Sequence, residues 1–419
     1  MKIRDVRFGD RTKIQQGILT IDRDELCNLL EKDKRLGWMD IELARPGDSC
    51  RIFQVADVIE PRAKAEDKAD DFMGPAGRHA RTGEGKTWVL SGAAVVMIDS
   101  RKIGEDTGAM DPRDHIIDMS GPGAGLYGRT FNIVLVPQQK TRTNAREYQA
   151  ALKIAGARAS VYLALAAAEL EPDDVEIYDL PSLTEVSNGL EGLPKVTYIC
   201  QAITMQYEPI PGEPILFGTH AGGMAPIIMH PNQILDGAVT SPLPGQNMQT
   251  YLIQNHPVIK ELYKRHGQDL CFSGVIATLA PDNVNELDRI ANTTAAMAKW
   301  VVGADGAVLT KVGGGAPELA MAKTAQRCEQ LGIRTAMAML HMGADATDRK
   351  YGATTIFDLP EVDAIVSMGY PFTKLELPSM DRIIGPPESN GGKAMFKPLG
   401  SIYGTLCQLG SARHKAVRY

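Results

Sequence analysis

The stretch DGAVLTKVGGGAPELAMAKTAQRCEQLGIRTAMAML, residues 305–340, contains a complete strand–helix–strand pattern. It begins with an apolar strand, DGAVLTKV, turns through consecutive glycines and continues as a helix to Gly332. A second apolar strand, IRTAMAML, follows directly. Strands with apolar residues at successive positions are typical of parallel sheets that helices cover on both faces. The stretch therefore predicts an α/β fold.

The same alternation extends outward from this stretch, from Glu147 to Gly385. An Ala-rich pattern with apolar residues at helical spacing predicts a long helix that ends before Pro172. Asn283 is a predicted cap for a second helix, which runs to Gly303. Further apolar strands are predicted at 193–204, 269–280 and 362–369. Short spacing between these elements favours crossover connections within parallel sheets.

Residues 1–145 have a different pattern, with β-branched runs bounded by Gly, Pro and Asp, which predict strands. A polar, Gly-rich segment near residues 63–86 predicts a long loop. The predicted class is therefore α/β, with a strand-rich N-terminal domain (1–145) followed by two parallel-sheet α/β units. We place these two units at 146–270 and 271–385, and we interpret residues 386–419 as a C-terminal extension.

Composition narrows the functional classes. The net charge of −6 comes without a basic block, so nucleic acid is not an expected partner. No apolar run reaches the ~18 residues that a membrane span needs, and the first residues, MKIRDVRFGDRTK, lack the apolar core of a secretory signal. The six cysteines are scattered and form no CxxC pair. We expect a cytoplasmic protein.

The order of motifs along the chain resembles one family, the α/β-subunit precursors of component B of glycine, sarcosine and betaine reductases, with the proline reductase precursor as a more distant relative. The resemblance extends in family order to about Gly385. It rests on these segments: ELARPGDSCRIFQVADVIEPR (42–62), LSGAAVV (90–96), IIDMSGPGA (116–124), LPKVTYICQ (193–201), MHPNQILDGAV (229–239), NHPVIKELYKRHGQDLCFSGVI (255–276) and VDAIVSMGYPFTKLELPSMDRIIG (362–385).

The resemblance implies a subunit of a heteromeric complex. In such precursors the chain is cut at an internal cysteine just after the segment that matches ILDGAV, and the new N-terminus becomes a pyruvoyl group. A keto carbonyl of this kind condenses with an amine and withdraws electrons from it. The resemblance also implies a γ-like subunit that brings a cysteine or selenocysteine to the carbon next to the amine.

The loop TSPLPGQNMQT, residues 240–250, departs from this pattern, because the chain has no cysteine between Cys200 and Cys271. Without a thiol the usual self-cleavage cannot start, so we expect an uncleaved chain without pyruvoyl. Thr240 and Ser241 are hydroxyl residues near the matching position, and a serine-derived pyruvoyl is the alternative. Pro242 argues against it, because proline fixes the backbone just past that bond.

Other candidate site residues precede the loop 240–250 in the sequence. His220 is a candidate acid–base residue, and the adjacent Gly222 and Gly223 allow a ligand close to the backbone. His220 and His230 are candidate metal ligands, although H-x9-H is not a ligand motif, and His230 beside Pro231 is also explained as a loop-ordering residue.

Three further segments have two interpretations each. Glu213 is a candidate partner of a substrate ammonium, or a solvated loop charge. His341 follows a strand end, where open α/β sheets bind ligands, or lies in a surface loop. The turn KVGGGAPEL (311–319) can present backbone N–H groups to a carboxylate or phosphate, or be a tight turn that needs glycine.

Three functions stay open at this level. The first is a subunit of a reductase-like complex that cleaves a C–N bond of a small nitrogenous substrate of amine, betaine or amide type. The second is a metal-dependent amide or ring hydrolase on the same fold, with a metal ion as cofactor. The third is a non-catalytic scaffold that binds a γ-like thiol- or selenol-bearing subunit.

Overall fold

The structure is a computed structural model of the chain. It describes residues 1–65, 82–101, 115–139, 145–203, 224–241, 245, 247–281, 283–312, 316–340, 362–386 and 390–410. His220, Gly222, Gly223, Glu213 and His341 lie outside the described residues, as does most of the segment predicted to be a loop near 63–86.

In chain order the strands are β1 (Asp5–Phe8), β2 (Lys13–Gln15), β3 (Ile18–Ile21), β4 (Leu36–Ala44), β5 (Cys50–Phe53), β6 (Val55–Ile59), β7 (Arg62–Lys64), β8 (Thr87–Val89), β9 (Ala93–Ile98), β10 (Ile116–Asp118), β11 (Phe131–Gln139), β12 (Lys195–Ile203), β13 (Ile227–Met229), β14 (Cys271–Leu279), β15 (Gly306–Thr310), β16 (Arg334–Met339), β17 (Ala364–Ser367), β18 (Lys374–Leu377), β19 (Arg382–Ile384) and β20 (Met395–Pro398). The α-helices are α1 (Arg23–Leu30), α2 (Ala145–Leu165), α3 (Pro231–Asp236), α4 (Thr250–Gln254), α5 (Pro257–Arg265), α6 (Leu287–Ala296) and α7 (Ala316–Gln330).

Contacts within the chain divide it into two units, each assembled from three segments. Unit 1 contains Met1–Glu176, Gln249–Gln254 and Phe372–Thr405, and unit 2 contains Ile177–Met248, Asn255–Pro371 and Leu406–Tyr419. The segments predicted from the sequence follow the pattern along the chain, whereas these units follow packing. The long α2 belongs to unit 1, and the C-terminal residues are shared between the units.

Unit 1 is built from small sheets, in agreement with the strand-rich prediction for the N-terminal region. They are ordered β1-β3-β2, β4-β11-β9-β6 and β10-β5-β19, with the pairs β7-β8 and β18-β20. Helix α2, which belongs to the same unit, packs against β9 at Gly156, where an added Cβ would lie 1.9 Å from Met97 Sδ. The helix can approach β9 this closely only because Gly156 has no side chain.

One buried ion pair joins distant segments of unit 1. The Arg51 guanidinium donates to both oxygens of Asp118, at 2.5 and 2.9 Å, and both side chains are fully buried. It also donates to the carbonyl oxygens of Pro378, Gly391 and Lys393 at 2.8–3.1 Å. Each donor therefore has an acceptor, as a buried charge requires. Arg51, Asp118 and Pro378 each come from a different one of the motifs that carry the family resemblance.

The described residues of unit 2 form a six-stranded sheet, ordered β13-β14-β12-β15-β16-β17. Five neighbouring strands run parallel to one another, in the order β14-β12-β15-β16-β17. The edge strand β13 is antiparallel to β14. This confirms the predicted α/β class and the predicted parallel strands. Strands from both of the predicted α/β segments, 146–270 and 271–385, belong to this one sheet.

One face of this sheet is covered by α6 and α7. Ile199 and Leu309 of the central strands share a buried apolar cluster with Met321 and Ala325 of α7. Helix α6 is shorter than its predicted span, because a single π-helical turn, Met297–Val302, follows it. The Asn283 side chain accepts from the N–H of Asn285, so it caps the short turn before α6 rather than α6 itself.

Candidate functional site

The segment ILDGAV (234–239) overlaps the end of helix α3 in unit 2 and leads into the loop 240–250. His230 caps α3, with Nδ1 accepting from the N–H of Asn232 at 3.3 Å. This fixes the proton on Nε2, which donates to the carbonyl oxygens of Leu180 and Pro181 at 3.2 and 3.3 Å. Main-chain groups therefore occupy both ring nitrogens of this candidate metal ligand.

Thr240 and Ser241 lie four and five residues after the end of helix α3. The helix ends at Gly237, whose φ of 103° lies in the left-handed region that glycine tolerates. Thr240 is half-buried and the Ser241 side chain is fully buried. Pro242–Pro244 lie outside the described residues, so the predicted catalytic roles of Thr240 and Ser241 stay predictions.

The segment Gln249–Gln254, which ends the loop and forms α4, belongs to unit 1 and is held there by hydrogen bonds. Asp57 of β6 accepts from the N–H of Thr250 at 2.9 Å and from its hydroxyl at 2.6 Å, at the first residue of α4. The Tyr127 hydroxyl donates to Gln249 Oε1 at 3.1 Å, and Gln254 Oε1 accepts from the N–H of Glu60 at 2.9 Å. Burial raises the pKa of Asp57, and the Thr250 hydrogen bonds oppose this rise. Residues 249–254 are thus held at three points.

A buried polar chain lies on the other face of the unit 2 sheet from α7. Successive side chains of a strand point to opposite faces, so Tyr198 of β12 lies on the face opposite to Ile199. The Tyr198 hydroxyl contacts His256 Nε2 at 3.0 Å and hydrogen-bonds to Thr310. Burial lowers the pKa of His256 to about 3, so the ring is neutral near pH 7. His256 occupies the cap position of α5 but makes no cap hydrogen bond through its side chain.

Cys200 lies within β12, beside this polar chain. It is buried, and burial raises its pKa to about 11. A thiol with this pKa is almost wholly protonated at pH 7 and is a poor nucleophile.

A second group of polar side chains meets at the ends of β12 and β15, on the face covered by α7. Gln201 Nε2 donates to Pro317 O at 2.9 Å, and its Oε1 accepts from the N–H of Val312 at 3.3 Å. Lys311 Nζ lies 3.4 Å from Glu318 Oε1, and both side chains are buried. Burial lowers the pKa of Lys311, and the Glu318 carboxylate opposes this.

Sequence reasoning singled out the turn 311–319 but not the charge pair at its two ends, and it gave no role to Asp57 or Tyr198. Asp57 and Tyr198 lie in the family motifs 42–62 and 193–201, which was the one available signal.

Over the described ranges, no cluster of three or more His, Cys, Asp or Glu side chains is arranged to hold a metal ion. In the same ranges, no helix is both long and apolar enough to cross a membrane.

Comparison with known proteins supplies the family. The model for glycine/sarcosine/betaine reductase component B subunits matches residues 1–411. The chain is 32% identical to the glycine reductase complex component B subunits alpha and beta of Acetoanaerobium sticklandii, over 91% of this chain and 87% of the relative. It is 32% identical to the sarcosine reductase complex component B subunit alpha of Peptoclostridium acidaminophilum, with the same coverage.

The betaine reductase complex component B subunit alpha of Peptoclostridium acidaminophilum is 31% identical, over 95% of this chain and 91% of the relative. No solved structure matches the chain. Because the family model covers almost the whole sequence and the relatives align over most of their own length, the resemblance seen in the motifs is confirmed. The chain belongs to the family of glycine/sarcosine/betaine reductase component B subunits.

Proposed function

We propose that this chain is the subunit of a reductase complex that cleaves a C–N bond of a small nitrogenous substrate, and that it works uncleaved and without pyruvoyl. One observation carries the proposal. The chain matches the family over residues 1–411, yet it has no cysteine between Cys200 and Cys271. The residues present do not supply the thiol for an N-to-S acyl shift.

The proposed division of labour follows from this loss. A γ-like partner brings the thiolate or selenolate, which bonds to the carbon while the C–N bond breaks and the nitrogen leaves with the electron pair and takes up a proton. This chain binds and polarises the substrate through hydrogen bonds and acid–base groups. We assign these tasks to His220, Gly222, Gly223, Glu213, His341, Thr240 and Ser241. We place the complex in the cytoplasm.

Processing is tested by intact mass. A chain that stays whole gives one species at 45.4 kDa. Two fragments divided at Thr240–Ser241, the second with a carbonyl-reactive N-terminus, would instead establish a serine-derived pyruvoyl. Ser241→Ala provides the matched control, because it leaves an uncleaved chain unchanged and blocks a serine-derived route.

Activity is tested by co-purification with a γ-like thiol- or selenol-bearing subunit and by measuring amine release from a substrate panel. We expect the isolated chain to be inactive, and His220→Ala to lower turnover of the assembled complex by about 10²-fold without preventing assembly. His230→Asn is the matched control, since asparagine also caps a helix. Full activity of His220→Ala would refute the site, and an equal loss of activity in His230→Asn would show that the effect is not specific to His220.

A further inference from the structure

The order of the parallel strands in unit 2 defines a place for a ligand. Numbered along the chain, the five parallel strands lie in the order 2-1-3-4-5, as β14-β12-β15-β16-β17. The chain leaves β12 toward one edge of the sheet and later returns to β15 on its other side. Open α/β sheets bind ligands at the carboxyl ends of the two strands that flank such a reversal. Here these are the ends of β12 and β15.

The charged pair Lys311–Glu318 lies at this place. Lys311 follows the last residue of β15, and Glu318 is in the first turn of the 15-residue helix α7. Gln201, at the end of β12, holds both sides together through Val312 and Pro317. The pair therefore lies between the reversal point of the sheet and the start of the helix that covers it.

The Glu318 carboxylate is incompletely satisfied. Its side chain is 1% exposed, and within the described ranges its Oε1 has no hydrogen-bond partner. Lys311 Nζ is 3.4 Å from that oxygen, but the contact does not have the geometry of a hydrogen bond. A buried carboxylate normally accepts hydrogen bonds, because otherwise its desolvation is not offset. The arrangement calls for a donor beside Glu318.

We propose that Lys311 and Glu318 bind a small neutral amide or ring ureide, whose N–H donates to Glu318 and whose carbonyl oxygen accepts from Lys311. This rests on the proposed function and names the substrate class for it. A cis-amide held in a ring presents N–H and C=O side by side, which matches an acceptor and a donor 3.4 Å apart. A neutral ligand also costs less to bury than a zwitterion does.

The test is binding to the purified intact chain, measured by calorimetry with imidazolidin-2-one, a five-membered ring ureide. We expect its affinity to fall at least 10-fold for Glu318→Gln, for Lys311→Met, and for the 1,3-dimethyl ligand on the wild-type chain, since methylation removes the N–H donors. The methylated ligand tests the contact even where a variant does not fold.

The matched control is Lys323→Met. Lys323 forms an ion pair with Asp288, 2.6 Å long, that joins α7 to α6 at the surface, and its loss leaves ligand affinity unchanged. Equal affinity for the two ureides, or no binding of imidazolidin-2-one, would overturn the proposal. Binding of glycine in its place would assign the pair to a zwitterion. Because binding needs no partner subunit, failure of C–N cleavage in the assembled complex is a separate result.

Discussion

The buried pair Arg51–Asp118 in unit 1 and the buried pair Lys311–Glu318 in unit 2 have different surroundings. In unit 1, Arg51 donates to both oxygens of Asp118 and to three carbonyl oxygens. In unit 2, Lys311 and Glu318 are as deeply buried but lie 3.4 Å apart, and Glu318 Oε1 has no hydrogen-bond partner in the described part of the chain. Every donor of the first pair has an acceptor, whereas one carboxylate oxygen of the second accepts no hydrogen bond there.

This contrast separates two uses of buried charge. A pair whose donors and acceptors are all matched fixes the positions of the segments that it joins, and removing one partner is costly. A pair with an unmatched oxygen can accept a further hydrogen bond, which is the basis of the proposed ligand site. The family motifs around Arg51 and Asp118 thus have a structural explanation, whereas the turn at 311–319 has a proposed functional one.

The largest effect is expected from Arg51→Met. The substitution leaves the Asp118 carboxylate buried without its partner, and we expect the free energy of unfolding to fall by about 3–5 kcal/mol. Chemical denaturation measures this change. The double variant Arg51→Met/Asp118→Leu should recover part of the loss, because it removes the unpaired charge. A single variant as stable as the wild type would show that the pair does not hold unit 1 together.

A smaller effect is expected from Glu318→Gln, about 1–2 kcal/mol. Glu318→Gln leaves Lys311, whose pKa burial already lowers, and this ammonium can release its proton. Arg51→Met also removes the donors to three carbonyl oxygens. The same denaturation experiment compares the two variants directly. A loss for Glu318→Gln as large as for Arg51→Met would mean that both pairs are structural, and the comparison would fail.

The pH dependence of stability should also differ between the pairs. Burial lowers the pKa of Lys311 in the folded chain, so the unfolded chain binds more protons between that lowered pKa and the ordinary value of about 10.5. The contribution of Lys311 to the free energy of unfolding therefore rises with pH through this window. Lys311→Met should remove the rise in denaturation curves recorded at increasing pH, while Arg51→Met should keep it.

The smallest effect is expected at the surface. Lys323 and Asp288 form an ion pair whose side chains are 31% and 69% exposed, and Lys323→Met should change the free energy of unfolding by less than about 0.5 kcal/mol. Thermal unfolding at low and high salt measures this. A change comparable to that of Glu318→Gln would show that exposure does not distinguish these two pairs of α7.

His256 illustrates what a local sequence pattern leaves undecided. His256 precedes Pro257 at the start of α5, but its side chain is buried against Tyr198 instead of capping the helix. A neighbouring proline and an amphipathic pattern indicate where a helix starts. They do not indicate whether the residue before it faces solvent or the core.

The sequence by itself determined the class of the fold, its parallel strands and the family. Apolar runs of strand length, helical spacing and glycine turns are local patterns, so the stretch 305–340 predicts β15, α7 and β16 without reference to the rest of the chain. The absence of a cysteine between Cys200 and Cys271 is also evident from the sequence alone, because it depends only on which residues are present there.

Only the tertiary structure decided which residues meet. The 2-1-3-4-5 strand order, the assembly of each unit from three segments, and the contacts of Asp57 with Thr250 and of Tyr198 with His256 join residues far apart in the sequence. Lys311 and Glu318 are seven positions apart within the opening stretch, yet their pairing depends on the packing of α7 against β15. Burial makes their charges consequential, and burial is a property of the whole fold.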